Sequence, residues 1–241
     1  MPYIKAIGLT KRYKSITAVD GLDLEIAEGE LFSLLGINGA GKTTTIKMLT
    51  CLTTPTEGEA FVGGYSIIKE SARVKEIIGV SPQETAVAPG LTVRENLELI
   101  CGIHRFTKEK TSSRIRELSL LLALDDVLDK RAGRLSGGFM RRVSIAMALI
   151  SEPKILFLDE PTLGLDVIAR QELWESVRML KGRVTVVLTT HYMEEAEALS
   201  DRIGIMKDGI LIAVGTVAEL KAMAGTSDLE SAFVAIVKEE V

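Results

Sequence analysis

The sequence predicts an α/β fold: a mainly parallel sheet flanked by helices, with an antiparallel β subdomain at the N-terminal end and a helical subdomain inserted in the middle. Three observations carry this prediction. Short, almost wholly apolar runs alternate with helical patterns in the way βαβ units do. Residues 3–9 and 19–26 instead alternate apolar and polar positions, which suits strands with one wet face. From Leu91 to Ser151 the pattern is helical, with no strand visible. With 241 residues, 46% of them hydrophobic, the chain can bury a sizeable core.

In chain order, the opening strands contribute Val19, Leu22, Leu24 and Ile26 to an apolar face and are expected to pair antiparallel. Leu31-Phe32-Ser33-Leu34-Leu35 is apolar on both sides, as a central strand must be, and stops at Gly36; Lys42–Leu52 then reads as a helix. Helices are expected at Val93–Ile103, Lys108–Leu124 and Gly138–Ile150. Strands at Ile155–Leu158, Val184–Leu188 and Arg202–Met206 alternate with helices at Ile168–Leu180 and Tyr192–Leu199. Lys207-Asp208-Gly209 predicts a tight hairpin turn, because Asp-Gly supplies positive φ angles, and Leu229–Val237 reads as a last helix. The expected division is a core of residues 1–90 and 152–222 that carries the antiparallel strands, a helical subdomain of 91–151, and a short C-terminal helical extension of 223–241.

Composition excludes several classes of function. Lys and Arg total 29 against 33 Asp and Glu, a formal charge of −4, so no overall basic field favours nucleic acid as a partner. Cys51 and Cys101 both lie in apolar sequence and read as buried free thiols of a reducing compartment. No secretion signal is visible in Met1-Pro2-Tyr3-Ile4-Lys5. Apolar stretches such as Val143–Ile150 fall short of the roughly 20 residues that cross a bilayer, so work at a membrane requires a membrane-spanning partner.

The chemistry begins at Gly36-Ile37-Asn38-Gly39-Ala40-Gly41-Lys42-Thr43, which satisfies GxxxxGK[ST] between a buried strand and a helix; Thr44 follows. Main-chain N–H groups of such a loop cradle phosphate, Lys42 reaches the β- and γ-phosphates, and the Thr43 hydroxyl can bind Mg²⁺. Ile155-Leu156-Phe157-Leu158-Asp159-Glu160 delivers two carboxylates at a strand's C-terminal end, where α/β sheets bind ligands. Asp159 is expected to hold Mg²⁺ and Glu160 to orient or deprotonate attacking water. The core is therefore expected to be of the P-loop NTPase, RecA-like type, with ATP and Mg²⁺ as its cofactors.

Leu135-Ser136-Gly137-Gly138 resembles the signature of the ABC ATPases, and it stands where that family has it, shortly before the Asp159-Glu160 strand. Tyr13 resembles the aromatic that stacks on adenine, Gln83 in Ser81-Pro82-Gln83-Glu84 the Q-loop residue that senses Mg²⁺ and the attacking water, Leu165-Asp166 the D-loop, and His191 the switch histidine. Chemistry alone leaves Tyr13 equally readable as sheet packing and Ser136 as a helix cap. The resemblance implies an ATP-hydrolysing subunit working as a head-to-tail dimer, ATP lying between one subunit's P-loop and the Ser136–Gly138 segment of a second, identical ATPase subunit. It implies a separate transmembrane permease subunit, contacted around Gln83 to Pro89, and a cytoplasmic, peripheral location on the inner face of the plasma membrane. The His191–Ala196 segment and the short C-terminal helix resemble drug- and antibiotic-exporting branches.

One position departs from the family pattern: Phe139 stands where many members carry Gln, and altered nucleotide affinity is expected from it. Glu194, Glu195 and Glu197 read as a solvated helix face and His104 as a structural or surface residue. Two other functions compete, a soluble ABC-type switch acting on a non-membrane partner and a P-loop small-molecule kinase. The chain shows no tandem ATPase half, coiled-coil insertion or basic patch for the first. Ser136 to Gly138, Gln83 and His191 argue against the second.

Overall fold

Alternating apolar residues make β1 (Ile4–Tyr13) and β2 (Ile16–Ile26) an antiparallel pair. Both run longer than residues 3–9 and 19–26, because register shifts between Ala6 and Arg12 interrupt the alternation without ending the pairing. The structure, a computed structural model, describes residues 2–239; Met1, Glu240 and Val241, at the ends of the first and last expected segments, lie outside the described residues.

β3 (Leu31–Leu35) is buried at every position, and α1 (Lys42–Leu49) follows it. This helix stops short of Leu52, since Cys51 turns to φ +57. β4 (Glu57–Val62) and β5 (Tyr65–Ser66) complete a first sheet in the order β2-β1-β4-β5. Neither was anticipated, because only Ala60 and Val62 of β4 face inward and its other end is Glu57-Gly58-Glu59. α2 (Ser71–Ile77) and β6 (Ile78–Ser81) then enter the second sheet, again unannounced by any apolar run.

The helical stretch between Leu91 and Ser151 contains α3 (Val93–Ile103), α4 (Lys108–Leu121) and α5 (Gly137–Leu149), with short 3-10 turns at Asp125–Val127 and Ala132–Arg134. β7 (Ile155–Asp159), α6 (Val167–Arg178), β8 (Thr185–Thr190), α7 (Met193–Leu199), β9 (Arg202–Lys207) and β10 (Ile210–Gly215) follow as βαβ units and a closing hairpin. Asp208 and Gly209 both take positive φ in the hairpin turn. α8 (Val217–Ala224) and α9 (Leu229–Glu239) end the described chain.

The second sheet has the order β10-β9-β3-β8-β7-β6 and is parallel except for the β9–β10 hairpin. Ile4, Leu24, Phe32, Leu34, Met48 and Val187 belong to one core on the side of this sheet that faces the first sheet and α1. Val93, Leu97, Val143, Leu156, Trp174 and Val186 belong to a second core, which the helices share with the sheet's other face. Because β3, β7 and β8 are parallel and in register (Leu35 beside Thr190, Asp159 beside Thr189), their C-terminal ends share one edge. Gly36, Asp159-Glu160 and His191 therefore emerge side by side.

Candidate active site

The loop after β3 owes its path to Gly41, which takes φ +100 and sits where a Cβ would meet the Ala18 carbonyl oxygen at 2.5 Å. No side chain caps α1 and no acidic residue stands in its first turn, so the loop and helix N-terminus offer free N–H groups and the positive end of the helix dipole. The Lys42 ammonium is buried; it donates to the carbonyls of Gly36 at 2.7 Å and Ile37 at 3.2 Å, and lies 3.2 Å from Glu160 Oε1. The Thr43 hydroxyl donates to Asp159 Oδ1 at 3.0 Å.

On the facing wall, the Thr189 hydroxyl donates to the same Asp159 oxygen at 2.6 Å and accepts the Glu160 N–H at 3.0 Å. Glu160 has φ +47, a left-handed conformation costing a residue with a Cβ roughly 1–2 kcal/mol. The bond to Thr189 holds it there. His191 Nδ1 lies 2.8 Å from Glu160 Oε2 and donates when that carboxyl is ionised.

These groups surround a cleft of about 330 Å³, to which Asn38, Gly39, Ala40, Gly41, Lys42, Thr43 and Thr44 contribute one wall. Gln83, Glu160, Leu163, His191 and Ala18 line the rest. The structure thus brings together all four residues expected to be catalytic: Lys42, Gln83, Glu160 and His191. Asp159 stands behind Thr43.

Five expected residues lie elsewhere. Tyr13, on β1, is 45% exposed with the Lys11 ammonium 5.0 Å from its ring centre, and Ala18 rather than Tyr13 lines the cleft. Ser136 caps α5, accepting the Phe139 N–H at 3.5 Å, and with Gly137 it is exposed. Gly138 is buried because a side chain there would collide with Ala169 on α6, whose N-cap is Asp166. The two helix N-termini are therefore neighbours, and neither belongs to the cleft.

Oxygen donors arranged in this way suit Mg²⁺, which binds through one or two carboxylates together with phosphate oxygens. Among the described residues no group of three His, Cys, Asp or Glu could hold a metal alone. Thr43 and Asp159 supply two adjoining oxygens beside the phosphate-binding loop.

The whole-chain comparisons agree with the geometry. A family model described as ABC transporter matches residues 19–163. The chain belongs to the ABC transporter family. It is 44% identical over 219 residues to the daunorubicin resistance ATP-binding protein DrrA3 of Streptomyces coeruleorubidus, covering 90% of this chain and 69% of that one. The fold matches a solved ATP-binding subunit of an ABC transporter with a TM-score of 0.86 at 26% identity, over 98% of this chain and 100% of the other. A dimeric ATP-binding cassette in a post-hydrolysis state, bound to ADP and phosphate, matches with a TM-score of 0.79 at 31% identity over 88% of this chain and 98% of its own. This ABC protein is an ATP-binding subunit that hydrolyses ATP to power transport.

Ala18 and Leu163 in the cleft, and Thr189, Arg141 and Glu195 outside its lining, have places that the sequence reading does not give. Thr189 is legible once β8 is placed beside β7, since the Thr189-Thr190 pair then lies at the same edge as the carboxylates. Arg141 has no such signal; its guanidinium, buried on α5, donates to the carbonyls of Pro82 at 2.6 Å and Gln83 at 2.7 Å. Glu195 corrects an expectation. Glu194 and Glu197 are exposed on α7, but Glu195 is fully buried, facing inward with Ala196 and Leu199. Trp174 Nε1–H donates to its Oε1 at 3.1 Å, while Oε2 has no partner in hydrogen-bond geometry. Desolvation is the main cause of a raised Glu195 pKa, and the hydroxyls of Thr190 and Thr162 and the Trp174 N–H act against it. Cys101 is buried as expected, whereas Cys51 is half-buried.

Phe139 turns toward its own subunit. Its ring lies 4.3 Å from the Arg142 guanidinium and packs against the helical core, and Arg142 in turn pairs with Glu172 at 2.8 Å.

Proposed function

We propose that this chain is the ATPase subunit of an exporter, closing head to tail on a second copy of itself around two molecules of ATP. The observation that carries this reading is the split between its two anion-binding elements. The cleft gathers Lys42, Thr43, Gln83, Glu160 and His191, while the N-terminus of α5, with Ser136 and Gly137 exposed, lies outside its lining. A second subunit that presents Ser136–Gly138 and Asp166 to the γ-phosphate completes the site.

In the closed site Lys42 exchanges Glu160 for the β- and γ-phosphates, and the loop N–H groups of 38–44 hold the phosphate chain. Thr43 and Asp159, with Gln83 beside them, would hold Mg²⁺, which would supply charge neutralisation at the phosphate oxygens. Glu160 orients the attacking water and accepts its proton, and His191 keeps the Glu160 carboxylate in place while reaching toward the γ-phosphate. Tyr13 stacks on adenine at the rim of the site. The helical part, residues 91–151, together with the loop from Gln83 to Pro89, receives a transmembrane permease subunit; Leu99 at 50% and Ile103 at 67% exposure give α3 an apolar outer side. No helix among the described residues is long and apolar enough to cross a membrane, which suits a peripheral subunit on the cytoplasmic face of the plasma membrane. The name of the DrrA3 relative points to a drug-like small molecule as cargo.

Release of phosphate from Mg²⁺-ATP with no added acceptor tests the chemistry. Turnover in the wild type, lowered by about 100-fold or more in Glu160→Gln and His191→Ala with ATP binding retained, supports it. A strict requirement for an acceptor contradicts it.

A further inference from the structure

Arg141 is 6% exposed, yet it forms no salt bridge among the described residues. A guanidinium is costly to bury, and desolvation lowers its pKa here, with Asp159 and Glu195 acting in the opposite direction. Its fork is spent on two main-chain carbonyls, those of Pro82 and Gln83, a geometry that fixes the loop more firmly than a single contact can.

This clamp is the first of three links along one side of α5. One turn further on, the buried Ser144 and Ser81 hydroxyls lie 2.8 Å apart. One more turn on, Gly79 packs so closely on α5 that a side chain there would run into the Ala148 carbonyl. Helix positions 141, 144 and 148 thus meet positions 83, 81 and 79 of the strand and its exit loop: helical spacing on one side, the two-residue period of a strand on the other. β6 and its exit loop meet α5 along one seam. The seam runs from the core of the sheet to within about 8 Å, five residues of helix, of Ser136.

We propose that Arg141 is a positioning residue for ATP hydrolysis, fixing Gln83 relative to the N-terminus of α5 so that the two move as one body when the dimer closes. The inference rests on the roles given above to Gln83 and Ser136. Arg141 is not among the residues that line the cleft; it acts through the main chain of Gln83.

The test is a double-mutant cycle on ATP turnover by the full chain, using Arg141→Met, Gln83→Ala and the double variant, with thermal melts of each. Arg141→Met is expected to lower kcat at least about tenfold while KM for ATP stays within about twofold, since the phosphate loop is untouched. The double variant is expected to lose no more than the more severe single one. Arg141→Lys, which keeps the charge and one donor, is expected to recover part of kcat, and it replaces Arg141→Met in the cycle should the latter fail to fold. Arg141 variants with wild-type kcat, or losses that multiply in the double variant, overturn the proposal while leaving Gln83 its role. Wild-type turnover in Gln83→Ala overturns both.

Discussion

Two carboxylates near the site, Glu160 and Glu195, are buried for opposite purposes. Glu160 is held between Lys42 and His191, in a left-handed conformation to which the bonds from its N–H to Thr189 tie it. Thr189→Val keeps the shape of the side chain but removes the hydroxyl shared by Asp159 and Glu160. It is expected to lower kcat by about tenfold with a loss of stability near 1 kcal/mol, read by phosphate release and denaturant unfolding. Glu195 is buried against Trp174 with one oxygen unpartnered, and its folded pKa lies above the ordinary 4.5. The folded state therefore binds the more protons above that pH, and stability falls as pH rises from 4.5 toward the folded pKa. Glu195→Gln, always neutral, is expected to remove this decline, so that its Tm relative to wild type increases from pH 4.5 to pH 8 in melting curves. A constant Tm difference across that range contradicts the assignment.

At the scale of elements, legibility followed burial. β3, β7, β8 and β9 lie deep in the parallel sheet, so both of their faces are apolar and they stand out as runs; with the loop after β3 they place Gly36, Lys42, Asp159, Glu160 and His191. β4, β5 and β6 escaped because they are short or half-buried and take their pairing from partners distant in sequence. Side-chain direction is illegible for a related reason: charge groups Glu195 with Glu194 and Glu197, although helical spacing sets it with Leu199. Arg141 was out of reach because its partners are main-chain atoms of another element. Phe139 packs as part of α5, its ring closing over Arg142. Phe139→Gln is expected to cost about 0.5–2 kcal/mol of stability by loss of that stacking, measured by denaturant unfolding, and to leave the affinity of the monomer for ATP unchanged.

For the whole molecule, one chain carries a cleft at the sheet edge and, outside its lining, an exposed α5 N-terminus, which on the function proposed above are the two halves of a shared site. In that proposed site ATP would be the link between copies, and hydrolysis would remove the γ-phosphate contacts that hold them, a free-energy difference between open and closed states that a permease can harness. The measurement that tests this most directly is light scattering of purified Glu160→Gln protein with and without ATP. A dimer that forms with ATP, and fails to form when Ser136→Arg is added, is the predicted result. A nucleotide-bound protein that stays monomeric, or a dimer indifferent to Ser136→Arg, contradicts the shared site.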